Sequence, residues 1–354
     1  MGQRDLNIFP LYGQQVMTGA LDAPLFPSNG ARLLAGAIGA DAQAGHGVTG
    51  SSASATTTLS ASAAASSASV TLTSATGYAI GNVVQIDVNA SVGPTTAECR
   101  KITAISTNTI ALDVPVSYAH SAGASVSVVI APYTHTIVQG NVLPSFSVEK
   151  AVGGWESILF GGVRVNKFDL KCQTTNTEAT FTADVLAKSA SVVPIPTAAT
   201  VVNESPFVFA EGTITLWANT VAQVTNVNLS VENGAKGVYT FNGGHTPQFV
   251  PTLTRKITGT LDVVFTSLDD ATWGYYNQML TQTEGNLSLA FTHPSNAGSA
   301  TVTCNKVRLA KYADALKMTD EVISTLSFEA HLDLTASPVQ TIGATIVNAI
   351  YLSL

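Results

Sequence analysis

Charge is the scarcest property of this sequence. Asp, Glu, Lys and Arg make up 11% of its 354 residues, where an average soluble domain carries roughly 25%. Lys and Arg number 16 against 23 Asp and Glu, for a net charge of −7, and the basic residues never cluster. That excludes a nucleic-acid binder working through phosphate contacts, which needs a basic patch. Cysteines are three, Cys99, Cys172 and Cys304, with no pair at metal-ligand spacing. A disulfide framework is not expected from an odd count, and a reducing assembly compartment is the simpler expectation. The opening MGQRDLNIFP has no apolar run of the signal-peptide kind. Nowhere do about 18 apolar residues follow one another, so no membrane span is expected.

Patterns that carry chemistry are missing as well. The histidines at 46, 120, 135, 245, 293 and 331 form no His-x-x-x-His or Glu-x-x-His pair. No Gly-x-Ser-x-Gly marks a nucleophile elbow. Gly153-Gly154, Gly161-Gly162 and Gly243-Gly244 lack the Lys-Ser/Thr of a phosphate loop and read as turns or bulges. Asp269-Asp270 fits the first turn of a helix, and Asp320-Glu321 a turn between strands. Sequons at Asn89, Asn203, Asn228 and Asn286 follow from a Ser/Thr-rich composition. No catalytic, cofactor or metal site is expected, so the chain reads as a non-enzyme. A carbohydrate-binding β-sandwich would want exposed aromatics and paired carboxylates, which the sequence scarcely offers.

Ser, Thr, Ala, Gly and Val take the place of charge. Small and β-branched residues fit pleated, closely packed surfaces. A low-charge surface also permits large protein contacts, because burying charge is costly. Residues 1–50 read as an N-terminal arm, or as an extension folded on its own domain, with Ala31–Ile38 among pieces able to add a strand. Residues 51–69 are Ser, Ala or Thr except Leu59 and read as a linker. Residues 70–131 show short strands about ten residues apart and read as a small inserted β-domain. Residues 132–354 are the main body. Ile257, Leu261, Val263 and Phe265 alternate with polar neighbours, as do Phe181, Ala183 and Val185. One helix is expected after an N-cap at Ser267, ending by Gly285, with Leu268, Ala271 or Trp273, Tyr275, Tyr276, Met279 and Leu280 on its apolar stripe.

Two further features stand out. Val165–Leu170 (VNKFDL) is echoed by Cys304–Leu309 (CNKVRL), and more weakly by Thr225–Ser230 (TNVNLS), which points to one supersecondary unit used more than once. Asn233–Lys256 is long for a loop and carries Tyr239, Phe241, His245 and Phe249. Such a loop either docks a neighbouring subunit, where Tyr and Phe are enriched, or packs on its own domain.

Residues 132–334 resemble the tail tube proteins of siphophages. LPSFSVEK at 143–150, Gly153-Gly154 and FGGVRVN at 160–166 are similar to the family's opening strand pair. VNLSVENG at 227–234, Gly243-Gly244, Pro247 and KITGTL at 256–261 are similar to its central signature. The resemblance implies a mainly β fold, a tail-tube-type β-sandwich or rolled barrel with one flanking α-helix. It implies a virion tail component assembled in the host cytoplasm. Copies would form rings, usually hexamers, stacked around the tape measure protein, with tail terminator and distal tail proteins at the ends. DNA would pass through the channel without specific binding, with no cofactor, no metal and no membrane. Subunit-interface candidates are Phe9, Tyr12, Tyr239, Phe241, His245 and Phe249. A capsid decoration or tail-tip subunit is the runner-up.

Overall fold

The structure, a computed structural model, describes residues 15–39, 47–87, 96–152, 156–194, 196–197, 204–221, 223–241, 244–265, 274–294, 298–315, 322–336 and 339–351. Strand β1 (Met17–Pro24) leads into helix α1 (Pro27–Ile38). The next stretch holds β2 (Gly47–Thr58), β3 (Ser69–Thr71), β4 (Val83–Ile86), β5 (Glu98–Ser106), β6 (Thr109–Leu112) and β7 (Ser125–Ile137). Then come β8 (Phe146–Val152), β9 (Glu156–Gln173), β10 (Asn176–Ala187), β11 (Ser189–Val193), β12 (Gly212–Leu216), β13 (Asn219–Thr220), β14 (Val224–Glu232) and β15 (Lys256–Val264). Helix α2 (Tyr275–Leu280) precedes β16 (Glu284–Thr292), β17 (Ser299–Ala315), β18 (Ile323–His331) and β19 (Ile342–Asn348). The fold is mainly β, as expected.

The main body is one antiparallel sheet rolled around a core. Its ladder runs β1–β10–β9–β14–β15–β18–β17, and then through β16 to β12. A bridge between Glu178 and Val208, which precedes β12, brings the far end back to β10. Alternation along each strand puts one row of side chains inside. Leu170, Leu229, Gly259, Phe328 and Leu309 are successive register partners in such a row, and all but the glycine are buried apolar residues. Phe207 packs on Phe291 with ring centroids 5.8 Å apart where the roll closes. The echoed segments of the sequence are the inward-facing parts of β9, β17 and β14.

The helix that plugs this core is not the one the sequence indicated. Residues 27–38 form α1, where Ala31–Ile38 reads as strand-forming. A short apolar run does not separate the two states by itself. Here Pro27 starts the helix, the Phe26 amide donates to Asn29 Oδ1 at 2.9 Å, and Asn29 Nδ2 donates to the Pro24 carbonyl at 3.0 Å. Ala31, Leu34, Ala35 and Ile38 then bury one face at helical spacing. Of the expected helix between 267 and 285, the described residues hold the short α2, capped by Thr281, and Gly285 lies in β16 opposite Val307. Ser267, Asp269, Asp270 and Trp273 lie outside the described residues, as do Asp320-Glu321, Asn89 and Asn203.

A second, separate core belongs to the region between β2 and β7. Leu59, Val70, Leu72, Val84, Ile86, Ile102, Ile110 and Val126 are buried together there. Residues 51–58, which compose like a linker, are the second half of β2 and pair with β7 as far as Thr58 opposite Ser125. Backbone pairing needs no apolar side chain, and Thr suits a strand. Leu59, the one large apolar residue of that tract, enters the second core.

Gly259 sits in β15 where an added methyl group would overlap both the Phe328 ring and the Asn228 carbonyl. Gly259→Ala is expected to lower stability by about 1–3 kcal/mol through overpacking, read as a fall in the urea midpoint at unchanged slope.

Candidate assembly surface

A rolled sheet still has ends. Among the described residues β1, β8 and β11 pair along one side only, β1 with β10 and the other two with β9. Their outer backbone groups are free to pair with another chain. Val16 and Val192 are exposed beside them. Between β1 and β8 runs a groove of about 520 Å³ whose lining includes Leu21, Val148, Phe160 and Val185.

The outer face of the sheet is polar apart from the Val264–Ile323 pair. Because Leu170 and its row point inward, their neighbours point outward. Thr182 and Asp184 stand on β10, Lys167, Asp169 and Lys171 on β9, and Asn226, Asn228, Ser230 and Glu232 on β14. Thr258, Thr260 and Asp262 follow on β15, then Thr325, Ser327 and Glu329 on β18. Its charges knit together. Lys167 Nζ lies 2.9 Å from Asp169 Oδ2, and that contact raises the lysine pKa. Asp262 accepts from Asn226 at 2.9 Å and from Thr325 at 2.7 Å. Across the whole face the charges nearly balance, with Asp22, Asp169, Asp184, Glu232, Asp262, Glu284 and Glu329 against Lys167, Lys171, Lys256, Lys306, Arg308 and Lys311.

The 233–256 loop is held at its base and open at its tip. Arg164 Nη1 donates to the Val250 carbonyl at 2.8 Å, and Arg255 donates to Asn233 Oδ1 at 3.0 Å and to the Gly140 carbonyl at 3.1 Å. Val238 and Phe249 form a bridge. Tyr239 OH donates to the Gln15 carbonyl at 2.8 Å, and the Gln15 amide donates to the His245 carbonyl at 2.7 Å. Tyr239 and His245 are thus brought together on Gln15, two residues before β1. Phe249 lies over a hollow with Arg164 and Lys188. Phe241 is fully exposed and Phe249 63% exposed. Phe9 and Tyr12 lie outside the described residues. Sequence reading missed the open edge of β1 and the extent of the polar face. The alternation in β9, β14 and β15 was the signal for the second, and only strand order reveals the first.

A family model described as phage tail tube protein matches residues 6–336. The chain belongs to that family. It is a structural component of the phage tail tube, a protein that self-assembles into a tube within the virion tail. The match takes in both the N-terminal segment and the region between β2 and β7, beyond the 132–334 stretch that carries the resemblance. No curated protein matches the chain.

In this member of the family the ionisable groups inside the fold serve structure. Burial pushes the thiols of Cys99 and Cys304 up to about 12 and that of Cys172 to about 11, so none is a ready nucleophile. No described helix is long and apolar enough to cross a membrane. The densest polar cluster lies in the second core. Glu98 bonds Arg100, accepts from the Ser117 amide at 2.8 Å, and lies 2.7 Å from His120 Nε2. His120 Nδ1 is 3.4 Å from Asp87 Oδ2, which also accepts from Thr96 at 2.7 Å. Burial alone raises the Glu98 pKa, but His120, the Ser117 amide, Arg100 and the Tyr118 amide together hold it below the ordinary value.

A depressed carboxylate pKa contributes stability above its unfolded value, and that contribution is lost as pH falls through the folded value. The second core is therefore expected to loosen as pH drops below about 4.3, the ordinary Glu value. Glu98→Gln leaves Arg100 buried without its counter-charge and is expected to cost about 3–5 kcal/mol. Denaturant melts from pH 3 to 7, followed through Tyr78 and Tyr118 by NMR, measure both effects.

Proposed function

We propose that this protein forms closed rings of copies, stacked around the tape measure protein, and that the stack conducts DNA from capsid to cell. The open-edged sheet with one continuous polar face carries the reading. Edges left unpaired in one copy are hazards that ring closure removes. The polar face lines the channel. Its carboxylates offset the amines beside them, so the face offers a phosphate backbone no basic track and lets DNA slide past without binding. Tail terminator and distal tail proteins meet the two ends of the stack, and assembly takes place in the host cytoplasm before the tail joins the particle.

Stacking needs a second contact besides the lateral one. We assign it to the tip of the 233–256 loop, where Phe241, Phe249, Tyr239 and His245 offer an aromatic surface almost free of charge, and to the N-terminal segment with Phe9 and Tyr12. The region between β2 and β7, with its own core, stands away from these contacts as a decoration of the tube.

Negative-stain microscopy of the purified chain, with tape measure protein supplied where needed, is expected to show hollow tubes. A chain that stays monomeric at high concentration contradicts the reading, and particles only at a tail tip would favour the runner-up. Phe241→Ser with Phe249→Ser is expected to keep the fold and abolish long tubes. Because Thr58 and Ser125 are register partners, replacing 59–124 by Asn-Gly closes a hairpin there. That variant is expected to assemble still, and loss of assembly would refute the decorative role.

A further inference from the structure

Several cations of this chain have an evident counterpart. Lys306 Nζ lies 2.7 Å from Glu284 and Lys167 Nζ 2.9 Å from Asp169. Arg255 has no carboxylate but is held in another way. It donates to Asn233 Oδ1 and to the Gly140 carbonyl, and Asn233 donates in turn to the Ala37 carbonyl in the last turn of α1. The negative end of the helix dipole therefore lies beside this guanidinium. A lone lysine on an open surface is solvated and needs no partner. A recess walled by two cations is a different matter. Arg164 and Lys188 line one hollow of about 570 Å³ beneath the 233–256 loop. Among the described residues no carboxylate comes within 4 Å of either.

The Gly161-Gly162 pair builds this hollow. Arg164 is the register partner of Leu186, and Lys188 follows two residues later at the junction of β10 and β11, where its amide donates to the Gly161 carbonyl at 3.0 Å. Gly162 has a φ of +62, in the left-handed region that favours glycine. A methyl group there would stand 2.9 Å from Lys188 Cβ, so only a glycine lets the lysine stem lie this close to β9. Ser145 adds a hydroxyl to the lining, Val238 and Val250 add apolar walls, and Phe249 lies over it, 63% exposed. Arg164 gives one N–H to the Val250 carbonyl at 2.8 Å, and its other donors have no partner among the described residues. The loop above brings no counter-charge. Residues 233–256 contain Lys236, Arg255 and Lys256 and no Asp or Glu, in a chain whose acids outnumber its bases by 23 to 16.

We propose that this hollow binds a carboxylate presented by another protein chain, an Asp or Glu side chain whose apolar stem lies against Phe249. Two like charges walling one recess repel each other, and an anion between them relieves that repulsion. A guanidinium offers a carboxylate a fork of parallel N–H groups, and charge-assisted bonds of this kind are the strong ones. Phe249 and the apolar walls keep water from the pair once the partner is seated, as the surround of an interface hot spot does. A phosphate backbone fits less well. It runs as a row of charges and calls for a track of cations, and the recess offers two. A neighbouring copy and another tail protein are the two sources of such a carboxylate, and both bring the same chemistry. The inference needs the chain to be a tail component; it does not depend on how copies are arranged.

A carbodiimide joins an amine to a carboxylate in contact with it, forming an amide with loss of water, and so reads the proposed contact directly. Tubes of the purified chain and whole tails are each treated, digested and analysed by mass spectrometry. Lys306 with Glu284 is the control, since the two meet within one chain. Lys188 is expected to link to an Asp or Glu of another chain, and tubes grown from mixed ordinary and nitrogen-15 chains separate a link between copies from one within a chain. A link in tubes of the purified chain makes a neighbouring copy the source, and a link found only in whole tails makes it another tail protein. Arg164→Gln removes one of the two cations and is expected to lower the Lys188 link by about tenfold, the loss of one charge-assisted contact, with Arg164→Lys restoring much of it. An unlinked Lys188 in both preparations, with the control linked, overturns the inference, as does a Lys188 linked only within its own chain. A Lys188 shielded from acetylation yet linked to no carboxylate holds a different anion, DNA phosphate included, and overturns it equally. A purified chain that forms no tubes counts against the tube reading alone, because whole tails still test the hollow.

Discussion

A β-strand must pair its backbone along both sides, and a chain of finite length runs out of strands. The rest of this molecule follows from that constraint. The roll closes on itself through the Glu178–Val208 bridge, which seals the core but leaves β1, β8 and β11 with one free side each. Among proteins that must remain single, such edges are blunted by charge, proline or bulges. Here β1 reads MTGALDAP, with one charge and its proline at the very end.

The low charge of the sequence takes its meaning from the same constraint. Extended contact between copies requires surfaces that lose little on leaving water. Ser, Thr and Ala supply them, and the few charges are concentrated where the sheet faces solvent or pair with one another. Lys167 with Asp169 and Lys306 with Glu284 are examples. Most of the buried charge, Glu98, Arg100 and Asp87 with the buried His120, sits instead with the second core, beside its buried Leu and Ile residues.

Much of this was legible in the residues. Period-two alternation gave β10 and β15, because one face of each is buried and the other wet. The echo of VNKFDL in CNKVRL marked the two longest strands, β9 and β17. Three features were hidden for definite reasons. Ala31–Ile38 is an unbroken apolar stretch, so helix and strand fit it equally until Pro27 and Asn29 are seen to start a helix. The Ser/Ala/Thr tract looked like a linker because its strand is held by the backbone of β7, which composition does not register. Among the interface residues, the loop aromatics were visible as a cluster, but the open edge of β1 depends on what does not pair with it.

The central claim is that copies associate through sheet edges. Amide hydrogen exchange, compared between the dissociated chain and the assembled tube, tests it most directly, because slowed exchange reports new backbone hydrogen bonds. The account predicts strong slowing in β1, β8 and β11, with β14, already paired on both sides, nearly unchanged. Equal exchange of β1, β8 and β11 in both states, in tubes seen to be intact, would contradict it.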